Sequence, residues 1–236
     1  HRDLHSFPTR RSSDLIKKGD KVVVTGKNAP EWAVAYLAVM YAGATVVPVD
    51  YQIRNDEIEN IIRASDAVAE FVDEEKYDAL DPARLGLKHR WSLSRKKPGY
   101  VYELEAAGKV PGIEPATESD LAAILFTSGT TGTPKGVMLT HSNFVSDCFL
   151  AQANLDVYHT DVFYALLPIH HSYTMLAVFI EAISTGAELV FGQRMVTSAI
   201  LKELKEAKVT MFLGVPLLFN KVLAGIMRGI KEKGPV

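Results

Sequence analysis

This sequence has little cysteine and no excess of positive charge. Cysteine occurs once in 236 residues, as Cys148, which excludes a disulfide framework and a zinc site built from cysteines. A reducing compartment suits such a chain and predicts a cytoplasmic location. The formal net charge is −2, so the basic surplus of a nucleic-acid-binding protein is missing. We therefore expect no nucleic-acid partner.

Long apolar runs are also scarce. One uncharged stretch, Trp32–Val49, has 18 residues, which is near the minimum for a membrane-spanning helix. Gly43 and Pro48 interrupt it, so a buried helix over Glu31–Tyr41 followed by a buried strand over Ala44–Val49 explains it better. This predicts no transmembrane segment and leaves peripheral membrane contact open.

The first fifteen residues, HRDLHSFPTRRSSDL, show no apolar periodicity. No apolar segment follows their charges, so they are not a signal peptide. They resemble a reading frame through a DNA-sequencing adapter, and an ordinary disordered terminus is the alternative. We expect residues 1–15 to be foreign or disordered and to make few contacts.

The first half of the remaining chain alternates short β-rich runs with helical patterns, which predicts an α/β fold with a largely parallel sheet. The stretch 73–118 is less regular and is interpreted as a surface excursion whose basic run Arg95–Lys97 is solvated. The predicted elements are strands Lys21–Thr25, Ala44–Val49 and Ala67–Val72, a helix with Pro30 in its first turn and Trp32, Tyr36, Val39 and Met40 facing the core, and a helix capped by Asn55 with Ile58, Ile61, Ile62 and Ser65 on one side.

The second half continues this alternation. Cys148 falls on the apolar face of a helix and is predicted to be a core residue and unreactive. The predicted elements are strands Leu121–Phe126, Val137–Leu139, Asp161–Leu166, Ala187–Phe191 and Val209–Leu213, a helix from Ser142 with Phe144, Val145, Cys148 and Phe149 on one face, and helices over Thr174–Ser184, over Thr197–Ala207 (burying Ile200, Leu201 and Leu204) and from Pro216.

One loop carries chemistry. It follows an apolar strand and contains five hydroxyl side chains, three glycines and one lysine in ten residues. Glycines let backbone N–H groups approach an anion, and hydroxyls add donors around phosphate oxygens. The lysine supplies a compact positive charge. The pattern predicts a polyphosphate cradle formed by Thr127, Ser128, Gly129, Thr130, Thr131, Gly132, Thr133 and Lys135.

Two familiar phosphate loops do not fit these residues. A P-loop needs Ser or Thr directly after its lysine, but here Gly136 follows Lys135. The G-x-G-x-x-G dinucleotide pattern is absent. Pro134 and Gly136 argue against a helix at this lysine, so we expect the loop to join two strands. A polar turn without a ligand remains the alternative.

The sequence TSGTTGTPKG, followed by VMLTHSN, resembles the signature loop of the adenylate-forming superfamily. Three other stretches resemble family segments in the same order: Tyr41–Asp50, Leu167–Met175 and Gly214–Val222. The resemblance spans Ile16–Val236 apart from 73–118. It implies that residues 16–236 are an incomplete AMP-binding N-terminal domain, with mixed sheets flanked by helices. Within the superfamily, the wording of the loop and of HHSYT is most similar to long-chain acyl-CoA synthetases.

The resemblance implies a two-step reaction. A carboxylate attacks the α-phosphate of Mg-ATP to give acyl-AMP, and coenzyme A then displaces AMP. The implied small molecules are therefore ATP, Mg²⁺, coenzyme A and a carboxylate, with a medium- or long-chain fatty acid as first choice. The Mg²⁺ and ribose ligands and a C-terminal-domain lysine are expected beyond Val236, so we expect this chain alone to be inactive.

His170 and His171 follow Pro168 at the expected end of a strand, where α/β folds place ligands. From the residues alone, a structural histidine that donates to a backbone carbonyl is favoured over a functional one. The resemblance assigns His171 a catalytic role beside the carboxylate and the α-phosphate. It places Tyr173 in the substrate or adenine pocket and leaves the part of His170 there undecided. No metal site is expected, because adjacent residues on a strand or loop point apart.

Three rival functions stay open. The first two lie within the superfamily: an aryl-CoA ligase, and an adenylation domain that passes its acyl group to a carrier protein. The third is a nucleotide-binding module without ligase activity. The oligomeric state is not indicated by any feature of the sequence.

Overall fold

The computed structural model describes residues 16–104, 114–127, 134–192 and 194–232. The expectation for residues 1–15 lies outside these ranges. The chain forms two compact units, divided between Ser146 and Asp147. Within the described ranges, every helix is too short or too polar to cross a membrane.

The first unit is built on a six-stranded sheet whose spatial order is β4-β3-β1-β2-β5-β6. Strands β1 to β5 run parallel, and β6 is antiparallel to β5. The central strands are rich in β-branched residues because both faces of a parallel sheet are covered, and Val22, Val23 and Val24 are fully buried. The strands are β1 Lys21–Thr25, β2 Thr45–Val49, β3 Ala67–Val72, β4 His89–Ser92, β5 Leu121–Thr127 and β6 Lys135–Thr140.

Helix α1, Pro30–Tyr41, confirms the interpretation of the long uncharged stretch as a buried helix leading into a strand. Pro30 stands at its start, where its missing N–H is not needed. Trp32 and Tyr36 are fully buried, and their rings stack 5.1 Å apart. Met40 is only half-buried, so its predicted core position is wrong.

Helix α2, Asn55–Ser65, is capped by Arg54 and not by Asn55 as predicted. Arg54 has extended backbone angles, so Asn55 already lies in the helix. The Glu57 carboxylate accepts a hydrogen bond from the Arg54 N–H at 3.0 Å, while Asn55 Oδ1 accepts one from Lys76 Nζ at 2.8 Å. The rest of the α2 prediction holds: Ile58, Ile62 and Ser65 are buried, and Ile61 packs partly buried against the core.

The prediction that the stretch 73–118 is a surface excursion is wrong. The stretch contains helix α3, Glu74–Tyr77, a 3₁₀ turn over Val101–Glu103, and β4, which extends the sheet beside β3. The ion pair between Arg90 of β4 and the fully buried Glu70 of β3 anchors this edge. Arg90 also donates hydrogen bonds to the carbonyls of Tyr77 (2.8 Å) and Leu80 (2.5 Å). The hydrogen bonds of its guanidinium group are therefore made inside the fold.

Two of the three residues in the basic run are solvated, as predicted, whereas the Lys97 side chain is only 25% exposed. The Arg95 and Lys96 side chains are 74% and 77% exposed. Lys96 pairs with Glu74 at 3.0 Å, and Lys97 pairs with Asp78. These contacts are ordinary surface ion pairs of small energetic weight.

Helix α4, His141–Asn154, contains the division between the units. The second unit is centred on two parallel strands, β7 and β8, and its core includes Tyr164, Leu166, Ile200 and Leu218. The elements of the second unit are β7 Val162–Ala165, α5 Ser172–Thr174, a π-helical segment Met175–Ile180, α6 Glu181–Thr185, β8 Glu188–Phe191, α7 Thr197–Glu206 and α8 Pro216–Glu232.

Three predictions for this half are wrong in detail. On α4, Phe144 and Cys148 are buried, but Val145 and Phe149 are 61% and 76% exposed because the buried stripe is narrower than predicted. On α7, Leu201 is exposed. Within the described residues, the predicted strand Val209–Leu213 reduces to one bridge between Phe163 and Met211.

Candidate functional site

The loop is held between two paired strands. In the β5–β6 ladder, Phe126 faces Gly136 and Thr127 faces Lys135. The Thr127 hydroxyl also donates to the Lys135 carbonyl across 3.4 Å. This confirms that the loop joins two strands and that no helix begins at the lysine. The predictions for Ser128, Gly129, Thr130, Thr131, Gly132 and Thr133 concern residues outside the described ranges.

Gly136 is fixed by packing in the strand. A Cβ atom at this position would lie 2.7 Å from Cγ2 of Ile124 and 3.3 Å from the Phe126 ring. Because real Cβ atoms do not approach other atoms so closely, the last glycine of the motif lets β6 lie against β5. Gly136 therefore serves the pairing of the two strands that bound the loop.

Lys135 begins β6 and is exposed. Among the described residues its ammonium group has no ion-pair partner, whereas Lys18, Lys27 and Lys96 all pair with carboxylates. A cation without an ion-pair partner is available to an anionic ligand.

The sequence THSN, residues 140–143, joins the end of β6 to the start of α4 through reciprocal caps. The Asn143 side chain accepts from the Thr140 N–H at 2.9 Å, and the Thr140 hydroxyl accepts from the Asn143 N–H at 3.3 Å. Two donors at the helix start are thereby satisfied. The caps fix where β6 ends, and so they fix the register of the strand that carries Lys135.

His141, inside the same sequence, is a residue that sequence reasoning missed. Its Nε2 atom is buried and has no hydrogen-bond partner among the described residues. Burial lowers the pKa of His141, and the nearby Asp120 carboxylate opposes that shift. The pKa of Asp120 is itself lowered to about 2, first by the Thr117 backbone N–H and then by Lys18. A histidine directly after a strand and within a capping sequence was the available signal.

His170 and His171 lie in a turn of the second unit, after β7. The His171 N–H donates to the Pro168 carbonyl at 3.3 Å, and the His171 carbonyl accepts from Met175 at 2.8 Å. His170 is buried and His171 is exposed. Only His171 therefore presents its ring to solvent.

The two rings do not point apart as predicted. Their centroids are 4.2 Å apart, with an angle of 52° between the planes. Side-chain alternation holds along a strand, but these residues lie in a turn, where consecutive side chains can share one side. The reason given against a metal site is therefore wrong.

Tyr173 lies in α5 and is 49% exposed, while Thr174 and Met175 beside it are buried. The exposed ring follows His171 by two residues. The second unit thus brings together His170, His171 and Tyr173 on one turn that follows the carboxyl end of a parallel strand, where α/β folds place ligands.

The fold and the loop define a class: an α/β domain with a largely parallel sheet and a Gly/Thr-rich loop between β5 and its antiparallel neighbour β6. The sequence pattern of the family described as AMP-binding enzyme matches residues 13–233. The chain therefore belongs to the AMP-binding enzyme family.

Known proteins similar to this chain agree with that class. Fatty acyl-CoA synthetase B of Dictyostelium discoideum is 28% identical over 92% of this chain and 35% of its own length. Feruloyl-CoA synthase of Amycolatopsis sp. is 26% identical over 89% of this chain and 41% of its own. The crystal structure of ATP-bound MatB from Rhodopseudomonas palustris is 27% identical, with a TM-score of 0.77 over 89% of this chain and 42% of that one.

These matches confirm the predicted fold class and the resemblance to acyl-CoA synthetases. The chain spans about two fifths of the length of these relatives. Their names differ in the acid, fatty acyl in one and feruloyl in another.

Proposed function

We propose that the protein containing this chain activates a carboxylic acid with ATP, forming acyl-AMP and then acyl-CoA. The observation that carries the proposal is the pairing of β5 and β6, the two strands that bound the loop. Paired strands hold Thr127 beside Lys135, whose exposed ammonium group has no ion-pair partner among the described residues. Family membership supports the same chemistry.

The first step needs positioning and charge neutralisation. A carboxylate oxygen attacks the α-phosphorus, and the bond to the β-phosphate breaks as pyrophosphate leaves. The loop from Thr127 to Lys135 holds the departing phosphates. Preorganised donors and a cation stabilise the charge that develops on them. Magnesium, which accompanies ATP, would share this neutralisation, and no described residue is assigned to it.

His171 donates a hydrogen bond to the charge that develops at the α-phosphate. Its exposed ring, held by backbone contacts of the turn, is suited to this role. Tyr173 packs against the acid or the adenine, and buried His170 supports the turn. In the second step the coenzyme A thiol attacks the acyl carbon and AMP leaves.

A fatty acid is the proposed substrate, in a cytoplasmic setting. The relative named for feruloyl-CoA supports an aryl acid as second candidate. A panel of fatty and aromatic acids, assayed by pyrophosphate release and by thioester formation, separates the two. Pyrophosphate release without thioester would favour an adenylation domain that loads a carrier protein.

The loop assignment is tested with Lys135→Ala in the full-length gene product. Loss of a charge-assisted phosphate contact should lower kcat/KM about ten- to a hundredfold, equivalent to roughly 1.5–3 kcal/mol. The free energy of unfolding should change by less than about 0.5 kcal/mol, because the side chain is exposed.

Lys202→Ala is the matched control, since the Lys202 side chain is 71% exposed and lies on α7. It should leave both quantities unchanged. Pyrophosphate release by Lys135→Ala at the wild-type rate would contradict the assignment.

A further inference from the structure

The helix that follows the histidine turn is irregular. Helix α5, Ser172–Thr174, passes into the π segment Met175–Ile180 and then into α6, Glu181–Thr185. The Glu181 N–H reaches the Leu176 carbonyl, five residues back. π turns of this kind are rare and occur often at functional sites.

The far end of this irregular helix is firmly anchored. The hydroxyls of Ser184 and Thr185 each donate to the Glu181 carbonyl at 2.9 Å. Gly186 closes the helix in a left-handed conformation. Phe179 and Ala182 are fully buried. The direction of α6 is therefore set by the core of the second unit.

The near end carries the exposed side chains. His171 and Tyr173 stand just before the π segment, and Met175, its first residue, is fully buried. Each residue of an α-helix turns the chain by about 100°. With α6 fixed, one residue more or fewer in the segment therefore turns the His171–Tyr173 end by about that angle.

We propose that the π segment Met175–Ile180 is a positioning device: its extra residue sets the direction in which His171 and Tyr173 face the substrate. This rests on the proposed function, which gives those two side chains their roles. A regular α-helix of the same sequence would keep the anchored far end, Glu181–Thr185, in place but would turn the side chains of His171 and Tyr173 away from the substrate. Misplacement by about 1 Å can cost a hundredfold in rate.

The test is deletion of Ala177 from the full-length gene product. Ala177 is only half-buried, so its loss removes one residue from the segment and little apolar contact. Ala177→Ser, which keeps the residue count, is the matched control. We expect the deletion to lower kcat/KM for pyrophosphate release at least about a hundredfold, mainly through kcat, and the control to stay within about threefold of wild type.

Labelling with diethyl pyrocarbonate supplies a second readout. In the folded protein, exposed His171 should react and buried His170 should not, and Mg-ATP should slow the reaction of His171. The deletion variant should keep His170 unreactive, which shows that it is folded, and should lose the protection of His171 by Mg-ATP.

The outcomes separate the two claims. Wild-type protein without pyrophosphate release and without ATP protection overturns the proposed function and this inference with it. Active wild type together with an equally active and protected deletion variant overturns the positioning role alone. If His170 reacts in the deletion variant, insertion of one alanine after Ala177 takes its place with the same expectation. Unfolding of both variants also overturns the inference, because the segment then serves folding only.

Discussion

Two adjacent histidines in the second unit differ sharply in the solvent exposure of their side chains. His170 is 8% exposed and His171 is open to solvent, although their ring centroids are 4.2 Å apart. The sequence HH gives both the same chemistry, and only the turn after Pro168 separates their exposure. For this reason the residues alone nominated the pair, and only the family resemblance singled out His171. Cys148 was easier, because an apolar helix face predicts burial, and burial raises the pKa of its thiol.

His141 leads to a prediction at the same scale. Burial lowers its pKa in the folded state below the ordinary value of 6.5. The unfolded chain therefore takes up a proton more readily than the folded protein as the pH falls through that value. We expect the free energy of unfolding to decrease below pH 6.5 and to level off once the folded form is protonated too. Urea unfolding between pH 5 and 8 measures this.

The variant for this test is His141→Gln, which removes the titrating group and should flatten that part of the pH profile. His159→Gln, at an exposed position, is the control for loss of one imidazole. An unchanged slope in His141→Gln would show that the histidine does not report this linkage.

At the scale of elements, local pattern was sufficient where it was strong. Strands β1 and β3 were predicted with their observed bounds, because short, mostly apolar runs between turns, KVVVT and AVAEFV, favour buried strands. Helix α1 was predicted to within one residue from its apolar spacing and Pro30. The loop between β5 and β6 followed from Pro134 and Gly136, which disfavour a helix.

Elements that depend on distant contacts were predicted wrongly. Strand β4 has the sequence HRWS, which carries no strand pattern, and it joins the sheet through pairing with β3 and the Glu70–Arg90 contact. Val209–Leu213 has a strand-like composition, and its backbone bonds to Val162 and Tyr164 of β7, yet among the described residues it forms a single bridge, Phe163–Met211, and not a strand. Neither result could be obtained from a local window, because the deciding partner lies more than fifteen residues away in the chain.

The frame of the loop gives a prediction at this scale. Gly136→Ala would bring a methyl group to 2.7 Å from Ile124 Cγ2. Overpacking of this kind typically costs about 1–3 kcal/mol. We therefore expect the free energy of unfolding to fall by that amount, with a smaller rise in KM for ATP as the β5–β6 ladder shifts. Chemical denaturation and initial-rate kinetics measure the two effects.

Gly229→Ala is the matched control for this substitution. Gly229 lies within α8, and a Cβ there would have no atom within 4 Å. Alanine is the better helix former by about 1 kcal/mol, so this variant should be neutral or more stable. Destabilisation of both variants to the same extent would remove the special position of Gly136.

At the scale of the whole molecule, the chain forms two units that carry different parts of the proposed chemistry. The first unit holds the loop frame with Thr127 and Lys135, and the second holds His171 and Tyr173. The fold class and the family were predictable because the loop motif is long and specific. The acid is less predictable, since relatives named for fatty acyl and feruloyl groups match this chain at similar identity.

The last prediction concerns this 236-residue chain by itself. It matches about two fifths of the length of its relatives, and family resemblance assigns the Mg²⁺ and ribose ligands and a catalytic lysine to the part that it does not match. Positioning of reactants can account for roughly 7–11 kcal/mol of a barrier, and an incomplete set of contacts cannot hold ATP and an acid in line. We expect weak ATP binding at most, and no acyl-CoA formation when the chain is incubated with a fatty acid, Mg-ATP and coenzyme A. Thioester formation and pyrophosphate release are the quantities to measure. Thioester formed at a rate that Lys135→Ala abolishes would show that the matched residues suffice for turnover.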